Sequence, residues 1–412
     1  MTSGSPGGAG RAGGSSRGAV AAVVAVAVLY ATIFTVPPLI APVFHDRLGF
    51  SFADAGLLMT IYLVAYAAVS LPAGMLADRF GPGKVIAVGL VLAGVASVLF
   101  PVSHGLGWFL VLRGVIGVGA ALVYTPGIAL IRSMLPPERA HAGVGWFTVG
   151  LSAGITVAYF SVPRIEHAIG WEWPFRIYGI VALAGLAILA LVPKRGWVGG
   201  GKALGNPLRG MGPMLRNRVV MMASVSLFLT MFVLYGALTY VIPFYDKEGG
   251  FSPSGISNSG LAVAAAAIPA SIAGGWLSDR LRKPAEVMAV FSLLTAVIVL
   301  LWVVPSGNGA ILVVIGVAAT FAGTATVVPL FTLPSIAVRP EDAGVATGLA
   351  TAIGMSGAIL STYLGGWIID WTGFGVAFLV FAIVAGVAAV LMGPMIRAEL
   401  RRQPAPLALG SE

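Results

Sequence analysis

Apolar runs long enough to cross a bilayer alternate with short polar stretches along almost the entire chain. With a window of about 20 residues, they fall at roughly 18 to 44, 54 to 76, 84 to 103, 107 to 131, 142 to 163 and 173 to 193. A polar, glycine-rich stretch follows, and the series resumes at roughly 219 to 244, 255 to 277, 285 to 305, 309 to 337, 343 to 369 and 374 to 396. Lipid offers no hydrogen bonds to an unpaired backbone, so each run is expected to be a helix; the runs are too long for barrel strands and lack their alternation. The pattern predicts an all-α membrane protein with twelve transmembrane helices in two six-helix bundles, 18–193 and 219–397, joined by a linker over 194–218. Residues 1–17 and 398–412 read as tails, the first a Gly/Ser-rich disordered segment. A cleaved signal peptide is the competing reading of the start, but the apolar run continues through Pro37 and Pro38 to Phe44.

Composition agrees with a lipid solvent. Hydrophobic residues make up 58% and charged residues 9% of 412, against about 45 to 50% and about 25% in soluble domains. The absence of cysteine excludes a disulfide framework, a thiol nucleophile and cysteine-ligated metal sites. A net charge of +9 invites a nucleic-acid reading, but the basic residues sit in short loops between the spans, so no nucleic-acid partner is expected. With both termini placed in the cytoplasm, nineteen lysines and arginines fall inside, four (Arg47, Arg164, Arg176, Lys247) fall outside, and Arg113 lies within a span. That bias predicts a multi-pass protein of the cell membrane with cytoplasmic termini and linker.

The two halves are copies. Gly74, Leu76, Asp78 and Arg79 are each followed 201 positions later by the same residue, at Gly275, Leu277, Asp279 and Arg280. Gly49-Phe50-Ser51 recurs as Gly250-Phe251-Ser252 at the other ends of the same spans. Each half therefore has six spans in the same orientation, making the bundles pseudo-symmetric. Each Asp ends its helix on the side where the helix dipole disfavours a negative charge, and so needs a partner. Nearby Arg79 and Lys84 or the start of a helix from the other half, after Arg339–Gly344 for Asp78 and Pro136–Gly143 for Asp279, would supply one. Such contacts would latch one conformation.

The stretch GMLADRFGPGK (Gly74 to Lys84) resembles the signature between helices two and three of the major facilitator superfamily, matching at Gly74, Leu76, Asp78, Arg79, Gly81 and Lys84, with Pro82 and Gly83 at usually basic positions. Arg113 and Gly117 match the family's helix-four signature, with Ile116 where glutamine is common; Gly150 and Gly154 stand where many drug antiporters carry Gly-Pro, without the proline. The resemblance implies alternating access, two bundles rocking about a central site. Pro37 and Pro38, Pro126, Pro243 and Pro329, in helices one, four, seven and ten, fit the bent helices from which transporters build sites.

Arg113 is the clear charge inside a span; its expected role is to bind an anion or couple protons, the alternative being a structural arginine bonded to backbone carbonyls. Asp54 follows Ser51 in a helix-start pattern. The candidate solute-binding residues are Tyr30, Arg113, Tyr124, Thr148, Ser152, Tyr235, Thr239, Thr320, Thr324 and Thr351; the candidate latch is Gly74, Asp78, Arg79, Gly81, Lys84, Gly275, Asp279 and Arg280. The hydroxyls suit a small organic solute with an apolar body, and the absence of a mid-span carboxylate favours facilitated transport or exchange of small organic anions over proton-driven uptake. No metal or cofactor is expected, and the partners are a small-molecule solute and the bilayer, the chain acting as a monomer. An enzyme would need a nucleophile–base pair, metal set or phosphate loop, none of which the sequence offers. A channel, a proton-coupled drug or metabolite carrier, and a non-transporting sensor on the same fold are the remaining alternatives.

Overall fold

Proline interrupts the first span. The computed structural model describes residues 9–103, 105–193, 197–198, 211–281, 283–303, 308–336, 338 and 343–402, and in it this span is three helices: α1 (Ala9–Phe34), α2 (Val36–Leu39) and α3 (Ala41–Leu48). Pro37 and Pro38 have no N–H to donate to Ile33 and Phe34 four residues earlier, so the hydrogen-bond ladder fails where the chain turns at Thr35. Pro126, Pro243 and Pro329 instead lie inside continuous helices.

Next come α4 (Phe52–Phe80), α5 (Pro82–Leu99), α6 (Leu106–Met134), α7 (Pro137–Ile169) and α8 (Glu172–Leu189). The second half holds α9 (Met211–Arg216), α10 (Arg218–Lys247), α11 (Pro253–Ala265), α12 (Ala267–Leu281), α13 (Pro284–Leu300), α14 (Gly309–Ile336), α15 (Ala343–Thr372) and α16 (Phe374–Arg402). Ten helices among the described residues are long and apolar enough to cross a membrane, and the shorter apolar helices Gly18–Phe34 and Ala285–Leu300 complete the twelve expected spans. The eighth span is divided at Ala266 into α11 and α12. Helix α1 begins at Ala9, inside the stretch 1–17 read from sequence as a tail: once a helix is nucleated in an apolar run, each further residue adds a hydrogen bond. Likewise α9 lies within the expected linker, and α16 runs to Arg402 inside the expected tail.

The chain forms two units. The first comprises residues 1–205 with 251–265, so that α11 packs with the N-terminal half against α7; the second comprises 206–250 with 266–412. The same packing scheme recurs in each. In the first, α1 packs on α6, α7 and α8, and α5 on α6 and α8; in the second, α10 packs on α14, α15 and α16, and α13 on α14 and α16. The repeat read at 201 residues is thus a repeat of contacts. Helix α5 shows the outward side of this arrangement: Val88, Val91, Val95 and Leu99 form an exposed apolar stripe while Ile86, Gly89, Leu90, Ala93 and Gly94 are buried. A helix apolar all round belongs in lipid.

Lipid is as apolar as leucine, so the helices must associate by close packing rather than by escape from water. Glycines make this possible. Gly89 and Gly119 face each other across α5 and α6, where a Cβ on either would lie 2.7 Å from the other's carbonyl oxygen. A Cβ on Gly154 would lie 2.3 Å from the Val28 oxygen of α1, and one on Gly357 would lie 2.1 Å from the Phe228 oxygen of α10, the equivalent pair in the second unit. Gly150 and Gly154, read from sequence against an antiporter signature, are therefore packing glycines. In the second unit Pro329 cannot donate to Ala325, and that carbonyl abuts Gly274 of α12, 2.1 Å from where a Cβ would stand.

Each unit also has an aromatic core. In the first, Phe100 stacks on Phe109 (4.5 Å between centroids) and Phe175 (4.2 Å), with Phe44 and Trp171 around them. In the second, Phe378 is held by Trp302 (4.8 Å) and Phe244 (5.0 Å).

Candidate functional site

Helices α4 and α6 lie side by side in the first unit and run in the same direction, as two contacts four residues apart on both helices show. Arg113 Nε donates to the Leu58 carbonyl at 3.3 Å, and Gly117 meets the Tyr62 carbonyl, 2.4 Å from where its Cβ would be. One turn of α6 (Arg113-x-x-x-Gly117) thus seats on one turn of α4 (Leu58-x-x-x-Tyr62), the glycine drawing the backbones together and the arginine reaching across.

The arginine is completely buried, with 0% of its surface exposed. Its Nη2 donates to the Phe34 carbonyl at 3.1 Å and touches Met59 Sδ at 3.2 Å. Phe34 O is the acceptor that Pro38 leaves without an intrahelical donor, so the guanidinium replaces the missing N–H and pins the break in α1 to α4 and α6. Below it, Arg113 Cζ stands 4.7 Å from the centre of the Tyr62 ring, a cation–π contact contributing about 0.5 to 2 kcal/mol. The backbone-bonding alternative for Arg113 is therefore realised, yet incompletely: Nη1 has no hydrogen-bond partner among the described residues, and neither does the buried Thr35 Oγ1. No carboxylate pairs with Arg113 among the described residues.

An aromatic row leads away from the guanidinium. The Tyr62 hydroxyl is 3.0 Å from that of Tyr30. The Tyr62 and Tyr66 rings are parallel to within 10° at 6.4 Å, Tyr66 meets Tyr124 edge-on at 6.1 Å, and Tyr124 lies 5.8 Å from Phe147. Tyr30 and Tyr62 are buried, whereas Tyr66 and Tyr124 are partly exposed. The structure thus unites Tyr30, Arg113 and Tyr124 from the sequence candidates with Tyr62 and Tyr66, whose hydroxyls are also readable in the second span, and adds Thr35 and Phe147. The signal for Thr35 was present in the helix break that Pro37 and Pro38 impose, whereas nothing in the sequence marks Phe147.

Within the first unit, Thr148 and Ser152 are not drawn into this cluster. Thr148 is exposed on α7 and donates to its own helix at Val144 O (3.1 Å); Thr351 likewise donates to Thr347 O (2.8 Å). Ser152 is half-buried on α7, its carbonyl accepting from Thr156. In the second unit, Thr239 and Thr320 are buried, and Tyr235 and Thr324 are half-buried.

Asp54 closes a capping box: its Oδ2 accepts from Ser51 N and Ser51 Oγ, each at 3.0 Å, while Ser51 Oγ accepts from Asp54 N at 3.0 Å. Among the latch candidates, Gly81 has φ +96°, and a Cβ there would lie 2.3 Å from Trp197 O of the linker. A Cβ on Gly74 would make only ordinary contact with Thr125, and Gly275 is half-buried in α12. Asp78 is half-buried, Lys84 is exposed, and Arg79 and Arg280 lie over Phe80 (5.2 Å) and Trp276 (5.0 Å). The Asp279 side chain and residues 339–342 lie outside the described residues.

The chain belongs to the major facilitator superfamily, whose model matches residues 22–362. It is similar to the quinolone resistance protein NorA of Staphylococcus aureus, 24% identical over 376 residues that cover 88% of this chain and 93% of that protein. It is also similar to the 3-(3-hydroxy-phenyl)propionate transporter of Escherichia coli, 24% identical over 298 residues, 72% of this chain and 73% of that one. Among the first curated relatives, the matched segment ranges from 28% to 93% of the relative's own length. The fold is shared with a bacterial homologue of the human lysosomal transporter Spinster, solved inward-facing and unoccupied: TM-score 0.78, 18% identity, covering 95% of this chain and 99% of that one.

Proposed function

We propose that the protein carries a small organic anion across the cell membrane by alternating access, as a facilitator or exchanger without proton coupling, and that both its termini face the cytoplasm. The observation that carries this reading is Arg113: a permanently charged group inside a span, fully buried, with Nη1 unpartnered and no carboxylate beside it among the described residues. A proton carrier needs a group that loads and unloads near neutrality, which a guanidinium does poorly; a guanidinium is instead suited to hold a carboxylate. Tyr66 and Tyr124, partly exposed beyond Tyr62, would face the apolar body of such a solute. Tyr62 closes over the guanidinium, so the solute would displace that ring to reach it. Thr148, Ser152, Tyr235, Thr239, Thr320, Thr324 and Thr351 are the proposed hydroxyl contributors, and the Asp78 and Asp279 loops the proposed latch. The propionate in the name of the Escherichia coli relative agrees with an anionic solute.

The quinolone-resistance relative, matched over more of the chain, favours a second reading, proton-coupled export of drugs. Counterflow in proteoliposomes with a panel of aromatic carboxylates, neutral sugars and organic cations separates the two. Exchange of carboxylates alone, indifferent to an imposed pH gradient, is the expected result; accumulation of cations driven by that gradient supports the second reading instead.

A further inference from the structure

Arg113 is charged at any physiological pH and is shut away from solvent. The groups that meet it among the described residues are two carbonyl oxygens, a thioether and an aromatic face, all formally neutral. Carbonyl dipoles and a π face offset part of the desolvation of a guanidinium but leave its charge uncancelled. Nη1 carries two N–H donors that find no acceptor in the protein. Thr35, the residue directly after the carbonyl held by Nη2, has a buried hydroxyl that is also without a partner. Two buried donors left unsatisfied at the same break in α1 indicate a missing acceptor, since buried polar groups in folded proteins are almost always paired. A water molecule would satisfy the hydrogen bonds and leave the charge; an anion satisfies both.

We propose that a small inorganic anion, chloride under cellular conditions, is held by Arg113 Nη1 with the Thr35 hydroxyl as second donor when the transported solute is absent. The idea rests on the reading of Arg113 as an anion seat and extends it: the organic carboxylate enters by replacing this ion, which makes exchange the natural mode of transport. Tyr62, lying across the guanidinium and hydrogen-bonded to Tyr30, keeps the resting ion from water.

The purified full-length protein tests this through its unfolding midpoint in detergent, titrated with sodium chloride against sodium HEPES, a bulky sulfonate rather than a carboxylate, at constant ionic strength. The midpoint should rise saturably with chloride, and bromide should substitute. Thr35→Val, which removes the hydroxyl and keeps the volume, should raise the half-saturating chloride concentration several-fold; Arg113→Gln should abolish the effect. Should Arg113→Gln fail to fold, Thr35→Val alone decides. Equal midpoints in chloride and in the sulfonate, or an unchanged chloride titration in Thr35→Val, would overturn the inference. If the chloride effect is absent while carboxylate counterflow persists, this inference fails and the proposed function stands; if chloride binds at Thr35 but no carboxylate is exchanged, the function fails and the ion site stands.

Discussion

A Cβ placed on Gly117 would stand 2.4 Å from the Tyr62 carbonyl oxygen, so α6 and α4 are in backbone contact at this turn. The obstruction is backbone, which cannot rotate aside. Gly117→Ala must therefore push the helices apart, at an overpacking cost of about 1 to 3 kcal/mol. Because the same turn sets the reach of Arg113 to Leu58, transport should fall further than stability. A thermal midpoint lowered by several degrees together with near-complete loss of counterflow is expected; Gly114→Ala, whose nearest neighbour would be the Ile61 side chain at 3.7 Å, should be mild by both measures.

Asp54 is a helix cap, and its substitution should behave as one. Losing its charge, while an amide oxygen remains to accept from Ser51, should cost about 0.3 to 1 kcal/mol, the usual range for an acidic group at a helix start. Asp54→Asn should thus lower the unfolding midpoint slightly while counterflow and its indifference to a pH gradient stay as in the wild type. A pH-driven accumulation present in the wild type and lost in Asp54→Asn would move the coupling group to this residue.

Gly81 and Gly49 both have positive φ, at +96° and +70°, but only at Gly81 does the linker crowd the missing side chain. Alanine at either position pays about 1 to 2 kcal/mol for the left-handed backbone. At Gly81 it also meets Trp197 O and must lift the linker away from the loop. Gly81→Ala should therefore destabilise clearly more than Gly49→Ala and speed proteolysis near Trp197; equal midpoints and equal cleavage would show that the linker contact carries no energy.

Much of this architecture was legible in the chain, and the limits have physical causes. Span lengths and the 201-residue offset gave the twelve helices and the two sixfold sets because a bilayer fixes helix length and a duplication preserves its landmarks. Ser51 and Asp54 could be read as a capping box because that motif is local. Arg113 was visible as a buried charge, but its partners were not: the Phe34 and Leu58 oxygens belong to the backbone and leave no mark in side-chain pattern. Thr148 and Thr351 looked like solute ligands by helical spacing, yet both hydroxyls satisfy their own helix, a choice that sequence does not encode. Nor does periodicity reveal where a continuous apolar run is divided, as at Ala266, or that Gly150 and Gly154 serve packing on α1.

The native chain contains no cysteine, so a single introduced thiol reports without background. A cysteine at Lys202 should react with an impermeant reagent only from the cytoplasmic side. In the same assay Asp78→Asn should change the labelling of cavity-facing cysteines on the two sides in opposite directions, through a coupling of about 1 to 3 kcal/mol. Labelling of Lys202→Cys in intact cells would reverse the proposed orientation, and unchanged accessibility in Asp78→Asn would remove that aspartate from the latch.

The central claim is that Arg113 recognises the charge of the solute. It is tested most directly by counterflow of an aromatic carboxylate and its uncharged amide, side by side, in proteoliposomes containing wild-type protein, Arg113→Lys or Arg113→Gln, each checked for a monodisperse folded state. The wild type should exchange the carboxylate and ignore the amide, Arg113→Lys should retain a reduced carboxylate exchange, and Arg113→Gln should retain none. Undiminished carboxylate exchange in a folded Arg113→Gln protein would contradict the account and leave Arg113 as a strut that mends the break in α1.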